Sequence, residues 1–245
     1  MSAEEKIIEI IHLKKSFEDT PVLSDINMHL LRGENLAILG KSGSGKSVLL
    51  KCIIGLLQAD SGQVSVFGKS LIDIEQKELL LIRKRFGYLF QSSALYDSMN
   101  VYDNLMFPMR RNRKELNREE MESQIDESLE SVGLRDAKYK MPAELSGGMR
   151  KRAGLARTLV MKPEVILYDE PTTGLDPFTS EDISNLIVHI QKKYETSAII
   201  VTHDMKCAKI VSNRMHILSQ GIFIAEGSYI DLKNHNLVEV KSYFK

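Results

Sequence analysis

The chain has only two cysteines and no excess of charge of either sign. Lys plus Arg and Asp plus Glu both total 33 in 245 residues, so the formal net charge is zero. A balanced charge gives no electrostatic argument for nucleic acid or for an anionic membrane surface, and we expect no nucleic-acid partner. Cys52 and Cys207 lie in apolar stretches, which favours buried free thiols over a disulfide or a metal site.

Long apolar runs and internal repeats are also missing. No stretch approaches 18 consecutive apolar residues, so none is expected to span a bilayer. The opening segment, Met1 to Lys6, has no basic stretch followed by an apolar one, so no secretory signal is expected. If the protein serves a membrane process, we therefore expect a peripheral subunit bound to a membrane-embedded partner.

Two kinds of strand pattern are present. Near the N-terminus, Ile26, Met28 and Leu30 alternate with neighbours that would face the other side of a sheet, which indicates antiparallel β structure. Three later runs are continuously apolar, as parallel strands covered on both faces are: 36–39, 165–168 and 198–201. Ligands bind at the carboxyl ends of such strands, and the residues that follow these three are Gly40, Asp169 with Glu170, and Thr202 with His203.

A helical pattern separates the first of these strands from the other two. Between about residues 93 and 150 the chain reads as a helical sub-lobe inserted into the α/β core. Its clearest helix carries apolar residues at spacings of 4, 4 and 3, namely Met121, Ile125, Leu129 and Val132. Further on, Gln220-Gly221 separates two apolar runs and predicts a β-hairpin.

The segment that follows the first apolar run matches the phosphate-loop pattern in full. Its glycines let backbone N–H groups converge on phosphate oxygens, and a helix from about residue 47 to 57 would add its positive end. Lys46 is expected to reach the β- and γ-phosphates, and the Ser47 hydroxyl to ligate Mg²⁺. A dinucleotide Gly-x-Gly-x-x-Gly motif is excluded, because Val48 stands where the third glycine belongs. The predicted loop comprises Gly40, Lys41, Ser42, Gly43, Ser44, Gly45, Lys46 and Ser47.

Two adjacent acids close the second apolar run. Asp169 is suited to hold Mg²⁺, and Glu170 to orient or deprotonate an attacking water. The alternative is that both are ordinary surface residues at a strand end. Four preceding apolar residues and the phosphate loop upstream favour the functional interpretation.

A third motif lies between the phosphate loop and these acids. The run from Leu145 to Arg152 reads Leu-Ser-Gly-Gly-Met-Arg-Lys-Arg, and Tyr168-Asp169-Glu170-Pro171 follows it. With the phosphate loop, in this order, the motifs resemble those of ABC transporter ATPase subunits. The resemblance implies an α/β P-loop NTPase fold with a mainly parallel core sheet. It implies a single domain over 1–245, with 1–92 and 151–245 forming a RecA-like core with the antiparallel β part, and 93–150 the helical sub-lobe.

The resemblance also implies ATP and Mg²⁺ as cofactors and assigns further residues. His203 matches the histidine that touches the γ-phosphate, and Gln91 the glutamine that senses Mg²⁺ and water. Phe17 stands where an aromatic stacks on adenine in the family, and this interpretation is favoured over a core residue. In the family, ATP lies between two copies of the chain. The segment that would touch the partner's ATP is Ser146, Gly147 and Gly148, and Asp176 matches the loop that links the two sites.

Three segments point to one group within the ABC transporter ATPases. They are Met149 to Arg152, Phe90 to Val101, and Met141 to Leu145, and together they are similar to the ATPases of Mla-type phospholipid transporters, which work with MCE proteins. This implies a transmembrane permease, a possible MCE-domain protein as a partner, and a peripheral position on the cytoplasmic face of the inner membrane. An apolar patch could receive the permease or form the sub-lobe core: Leu95, Tyr96, Met99, Val101, Leu105, Met106 and Phe107.

Three rival functions remain open from the sequence. One is an importer ATPase for a small solute such as an amino acid. Another is an ABC ATPase of translation or DNA repair, although such proteins usually carry two modules or long coiled-coil insertions. The last is a binding module that holds ATP without cleaving it, which the presence of both Glu170 and His203 disfavours.

Overall fold

The fold was analysed in a computed structural model that describes residues 5–244, so most of the opening segment considered for a secretory signal lies outside the described residues. The N-terminal strands β1 (Lys6–Phe17) and β2 (Thr20–Leu31) pair antiparallel, and β4 (Ser61–Val66) pairs with the other edge of β1. The short β5 (Lys69–Ser70) extends this part. Ile26, Met28 and Leu30 are buried, which confirms the alternation.

The core of the sheet is parallel, as predicted. Strands β3 (Asn35–Leu39), β7 (Val165–Asp169) and β8 (Ser197–Thr202) are buried at every position. With β6 (Phe86–Leu89) and β9 (Arg214–Ser219) they lie in the order β9-β3-β8-β7-β6. The last strand, β10 (Ile222–Gly227), forms the predicted hairpin with β9 and meets β2 at a single parallel bridge. The carboxyl ends of β3, β7 and β8 therefore lie side by side.

The first helix ends earlier than the sequence pattern indicates. We expected it to run to about residue 57, but α1 spans Lys46–Ile53. Gly55 has a φ of +65°, its N–H donates to the carbonyl of Cys52, and the N–H of Leu56 donates to that of Lys51. This is the Schellman arrangement, in which a left-handed glycine terminates a helix while two of its last carbonyls are satisfied.

The remaining segments contain mostly helices. They are α2 (Gln76–Lys84), α3 (Val101–Asn112), α4 (Arg118–Ser131), α5 (Gly147–Leu159), α6 (Pro177–Tyr194), α7 (Met205–Val211), α8 (Tyr229–Lys233) and α9 (Val238–Lys241). The amphipathic pattern of α4 is confirmed, because its three apolar positions and the C-cap residue Val132 are all buried. Helices α3 to α7 share one continuous apolar cluster with one face of the parallel sheet. The sub-lobe boundaries at 92/93 and 150/151 stay a prediction, and α5 runs across the second.

Some residues of the apolar patch near the start of α3 belong to the core, and others are exposed at the surface. Val101, Leu105 and Met106 are buried in the shared cluster and so belong to the core. Tyr96 and Phe107 are 42% and 40% exposed, and their rings meet edge to face with centroids 5.3 Å apart. Leu95 and Met99 are half-buried, so the two aromatic side chains are the most exposed members of the patch.

Two expectations from composition can be checked over the described range. Cys52 and Cys207 are both buried and free, and burial raises the pKa of each thiol to about 11. Buried thiols with raised pKa values carry little of the reactive thiolate, which agrees with a structural role. From residue 5 to 244 no helix has the length and apolar character needed to cross a bilayer.

A buried histidine makes the stability of the fold depend on pH. The side chain of His216 is fully buried against Phe223, and burial lowers its pKa from 6.5 to about 3. Arg214 lies 3.3 Å from Nε2, so that nitrogen accepts while Nδ1 has no partner. Because the unfolded chain binds this proton below pH 6.5 and the folded chain does not, acidification favours unfolding.

We expect this histidine to cost up to about 1.4 kcal/mol of unfolding free energy per pH unit as the pH falls from 6.5 to 5. Denaturant titrations between pH 6.5 and 5 should show that the unfolding free energy of His216→Asn depends less steeply on pH than that of the wild type. The exposed His189 provides the control, and His189→Asn should keep the wild-type slope. Equal slopes in wild type and His216→Asn would contradict the assignment.

Candidate functional site

The phosphate loop joins β3 to α1 and lines an open cleft of about 630 Å³. Gly43 and Gly45 have φ values of +79° and +98°, which only glycine adopts readily. A Cβ at Gly45 would also lie 2.9 Å from Cδ2 of Leu23. Because Gly45 has no side chain to cap the helix and its first turn has no acid, the first N–H groups of α1 remain available to an anion.

The loop also supplies a cation that suits a phosphate. The Lys46 side chain is 6% exposed, and its Nζ donates to the carbonyls of Gly40 at 2.7 Å and Lys41 at 3.1 Å. Lys46 Nζ also lies 3.3 Å from Oε1 of Glu170. The loop thus presents a cation and a helix N-terminus, which together fit the phosphates of a nucleotide.

Asp169 ends β7 directly behind Ser47. Ser47 Oγ donates to Oδ1 of Asp169 at 2.9 Å, and the Tyr88 hydroxyl donates to Oδ2 at 3.0 Å. Burial and the charge of Asp169 raise the pKa of Tyr88 well above its ordinary value, so Tyr88 stays a donor. The hydroxyl and carboxylate oxygens fit Mg²⁺, which takes oxygen ligands and keeps several waters. Among residues 5–244 no group of three or more His, Cys, Asp or Glu side chains is placed to hold a metal ion.

Glu170 follows Asp169 and is held from several sides. Its φ is +50°, an uncommon conformation for a residue other than glycine. Oε2 of Glu170 accepts from the Thr173 hydroxyl at 3.2 Å and lies 2.8 Å from Nδ1 of His203. The backbone N–H of His203 also reaches it at 3.3 Å. The carboxylate therefore lies in the cleft in one defined orientation, between the Lys46 ammonium and the His203 ring.

Gln91 lines the same cleft, and its backbone carbonyl accepts from Nζ of Lys151. Lys151 lies on α5 and is 5% exposed; burial lowers its pKa, while the charges of Asp169 and Glu170 act in the opposite direction. Sequence reasoning missed Lys151, Tyr88, Thr173 and the cleft residue Val22. A signal for Lys151 existed, because it occupies the apolar stripe of its helix, four residues before Leu155.

The predicted partner-facing residues lie at two neighbouring helix starts. Ser146 caps α5, accepting from the N–H of Met149 at 3.2 Å. Asp176 caps α6, accepting from the N–H and the hydroxyl of Thr179 at 3.1 and 2.5 Å, and this bonding lowers its pKa. A Cβ at Gly148 would lie 2.5 Å from Cγ2 of Thr179. The two helix starts are thus packed through one threonine side chain.

The structure therefore brings part of the predicted set together. Six of the eight phosphate-loop residues meet Gln91, Glu170 and His203 at the cleft, with Asp169 behind Ser47, whereas Gly40 and Ser44 lie outside the cleft lining. The cleft lining does not include Ser146, Gly147, Gly148 or Asp176. Phe17 is also outside the lining; it is 45% exposed, with Nζ of Lys15 5.6 Å from its ring centre.

Comparison with known proteins places this site in a family. The ABC transporter family matches residues 23–173, more than half of the chain. A relative from Mycobacterium leprae (strain TN), named as a probable ribonucleotide transport ATP-binding protein mkl, is 44% identical over 211 residues. The match covers 86% of this chain and 60% of the relative, so the chain spans about three fifths of that protein. A methionine import ATP-binding protein MetN from Clostridium tetani is 38% identical, over 92% of this chain and 70% of the relative.

Solved structures agree with this match. The cbiO1 structure from Clostridium perfringens, described as part of the ABC transporter complex cbiONQ, superposes with a TM-score of 0.87 at 32% identity, over 99% of this chain and 96% of that one. The ATP-binding cassette MJ0796, in a dimer bound to ADP and Pi, gives 0.81 at 29% identity, over 90% and 98%. These likenesses confirm the predicted ABC ATPase fold. The chain belongs to the ABC transporter family, among its ATP-binding ATPase domains, whose members bind ATP together with Mg²⁺.

Proposed function

We propose that the chain binds and hydrolyses ATP to drive a membrane permease. The observation that carries this is the fixed Glu170 carboxylate, held in the phosphate cleft by Thr173 and His203 and facing Lys46. In this proposal the loop amides and Lys46 bind the β- and γ-phosphates. Glu170 orients a water and takes its proton, and His203 contacts the γ-phosphate.

Ser47 and Asp169 would hold Mg²⁺, with Gln91, which lines the same cleft, as a further ligand. The ion supplies charge neutralisation at the phosphate oxygens. Tyr88 contributes by fixing one oxygen of Asp169, which leaves the other directed at Ser47. The chain's own residues thus hold the phosphates, the ion and the water at three neighbouring strand ends.

The functional unit we propose is a homodimer with two ATP molecules in its seam. Ser146, Gly147, Gly148 and Asp176 do not line their own chain's cleft, which supports a role at the cleft of a second copy. A two-fold axis would give each cleft the α5 start of the partner, where small residues permit close backbone approach and the helix end favours an anion. In the same assembly Phe17 would stack on the adenine.

The exposed aromatic pair Tyr96 and Phe107 is the surface we propose for the permease. Both rings lie on the segment that follows Gln91, so a contact there can be transmitted to the cleft. A permease bound at this surface would hold the chain on the cytoplasmic face of the inner membrane as a peripheral subunit. Membership of cbiO1 in a transporter complex is consistent with such an arrangement.

For the transported substrate we propose phospholipid, with an MCE-domain protein among the partners. The support is the likeness of Met149 to Arg152, and of residues 90–101, to Mla-type ATPases. A small solute is the second candidate, favoured by relatives named for methionine import. The M. leprae relative is named for ribonucleotide transport, which also belongs to the class of small solutes.

An affinity pull-down from native membranes, with mass spectrometry of proteins and lipids, tests the proposal. A multi-spanning permease together with an MCE-domain protein and phospholipid is the expected result. Recovery of a permease with a solute-binding protein would instead identify the substrate as a small solute. The matched control is the double variant Tyr96→Ala, Phe107→Ala, which should bind ATP normally and lose the permease.

A further inference from the structure

Helix α5 is attached to the segment after β6 by three contacts on one face. Lys151 donates to the carbonyl of Gln91, and Arg157 donates to the carbonyl of Ala94. Between them, Gly154 packs so closely that a Cβ would lie 2.9 Å from the carbonyl oxygen of Ser93. The spacing of three residues places these contacts along one side of the helix.

The attached segment has an unusual backbone. Ser93 and Ala94 have φ values of +64° and +48°, consecutive left-handed residues that are not glycine. Such conformations are costly and persist only where the surroundings hold them. Charge-assisted donors from α5 supply that restraint, because ammonium and guanidinium groups form stronger hydrogen bonds than neutral donors.

Lys151 differs from Arg157 in touching a second segment. Its Nζ lies 3.4 Å from the carbonyl oxygen of Glu170, whose own φ is +50°. One buried ammonium thus bonds the backbones of Gln91 and Glu170, two residues that both line the cleft. An ammonium has three donors and can satisfy both carbonyls at once.

Lys151 and Lys46 are both buried cations near Glu170, but they have different partners. Lys46 faces Glu170 at 3.3 Å, and under the proposed function it binds phosphate oxygens instead. Lys151 bonds backbone carbonyls and does not itself line the cleft, so we expect its position not to depend on the nucleotide.

We propose that Lys151 is a positioning residue that sets the distance between Gln91 and Glu170 from its place on the helix opened by Ser146-Gly147-Gly148. This inference rests on the proposed function for its effect on catalysis. Under this proposal helix α5 has two roles: its start would face the partner's ATP, and its Lys151 aligns the catalytic groups of its own chain.

The test compares Lys151→Met, Lys151→Arg and Arg157→Met in the full chain. Lys151→Met keeps most of the side-chain volume and loses the donors. We expect kcat for ATP hydrolysis to fall about 10- to 100-fold while KM stays within about threefold, since small misplacements of reacting groups act on the chemical step. Lys151→Arg, which retains a forked cationic donor, should recover at least half of the loss on a logarithmic scale.

Arg157→Met is the matched control, because it removes a cation that contacts the same segment from the same helix but does not touch Gln91 or Glu170. We expect its kcat to stay within about threefold of wild type. An equal fall in kcat in Arg157→Met, an unchanged kcat in Lys151→Met, or an arginine variant no better than the methionine variant would each overturn the proposal. If Lys151→Met does not fold, Lys151→Gln, with a neutral donor, takes its place, with an expected fall of at least about fivefold.

Amide hydrogen exchange provides a readout that does not depend on activity. In Lys151→Met, exchange should rise at least about tenfold in both 88–94 and 168–173, whereas in Arg157→Met it should rise only in the first segment. Unchanged exchange at 168–173 would overturn the positioning role even if ATPase activity fell. A wild-type chain without Mg²⁺-dependent ATPase activity would instead contradict the proposed function and leave the exchange result to decide the role of Lys151.

Discussion

Glu170→Gln should lower kcat for ATP hydrolysis by at least about a hundredfold while leaving ATP binding intact. The amide is isosteric with the carboxylate and can still accept from Thr173 and the backbone of His203, so the geometry of the strand end should persist. It cannot take a proton from water. Because hydrolysis is what would release the proposed dimer, the variant should accumulate as an ATP-bound dimer.

Steady-state kinetics checks the fall in kcat, and size-exclusion chromatography with saturating Mg²⁺ and ATP checks the dimer. Glu181→Gln, an exposed substitution on α6, is the control and should hydrolyse ATP at the wild-type rate. A variant that remains monomeric with saturating ATP would contradict the two-ATP dimer for the isolated chain. Near-normal turnover in Glu170→Gln would contradict the role of Glu170.

Lys46→Ala should raise the Kd for ATP about a hundredfold, or about 3 kcal/mol. The Nζ group is held inside the loop by the carbonyls of Gly40 and Lys41, so it lies ready for a phosphate. Removing it deletes the cation nearest the bound charges and leaves Glu170 without its partner at 3.3 Å, which adds repulsion toward an anion.

Isothermal titration calorimetry measures this effect directly. Lys51→Ala is the control, since Lys51 is exposed in the last turn of the same helix and should leave the Kd unchanged. Thermal unfolding of both variants shows whether the loop remains folded. An unchanged Kd in a folded Lys46→Ala would mean that nucleotide binds elsewhere.

Local patterns were sufficient to predict the strands and the ends at which the site is built. The continuous apolar runs at 36–39, 165–168 and 198–201 are the buried parallel strands β3, β7 and β8, because a strand covered on both faces needs apolar residues at successive positions. Gly40, Glu170 and His203 follow those runs, so their convergence could be predicted from sequence. The end of α1 could also have been predicted, since Gly55 is a common helix terminator.

The residues that orient the site could not be predicted in this way. Tyr88 bonds Asp169 across two strands, and Thr173 bonds Glu170 within a turn whose shape depends on its surroundings. Lys151 reaches two carbonyls that are far from it in sequence. Each of these contacts depends on tertiary packing that a periodic pattern does not encode, and the residues proposed to face a second copy have no assigned role within one chain.

The continuity of the apolar cluster beneath α3 to α7 limits how such chains can be recombined. The inserted helices α3 and α4 pack against α5, and their cluster continues into Leu89, Ile166, Tyr168 and Ile200 of the sheet. A chimera that exchanges only 93–150 would set a foreign helical surface against α5, with cavities or clashes in the shared core. Transplanting the proposed permease-facing surface from another transporter will therefore require the matching face of α5 as well, so the segment is not an independent module.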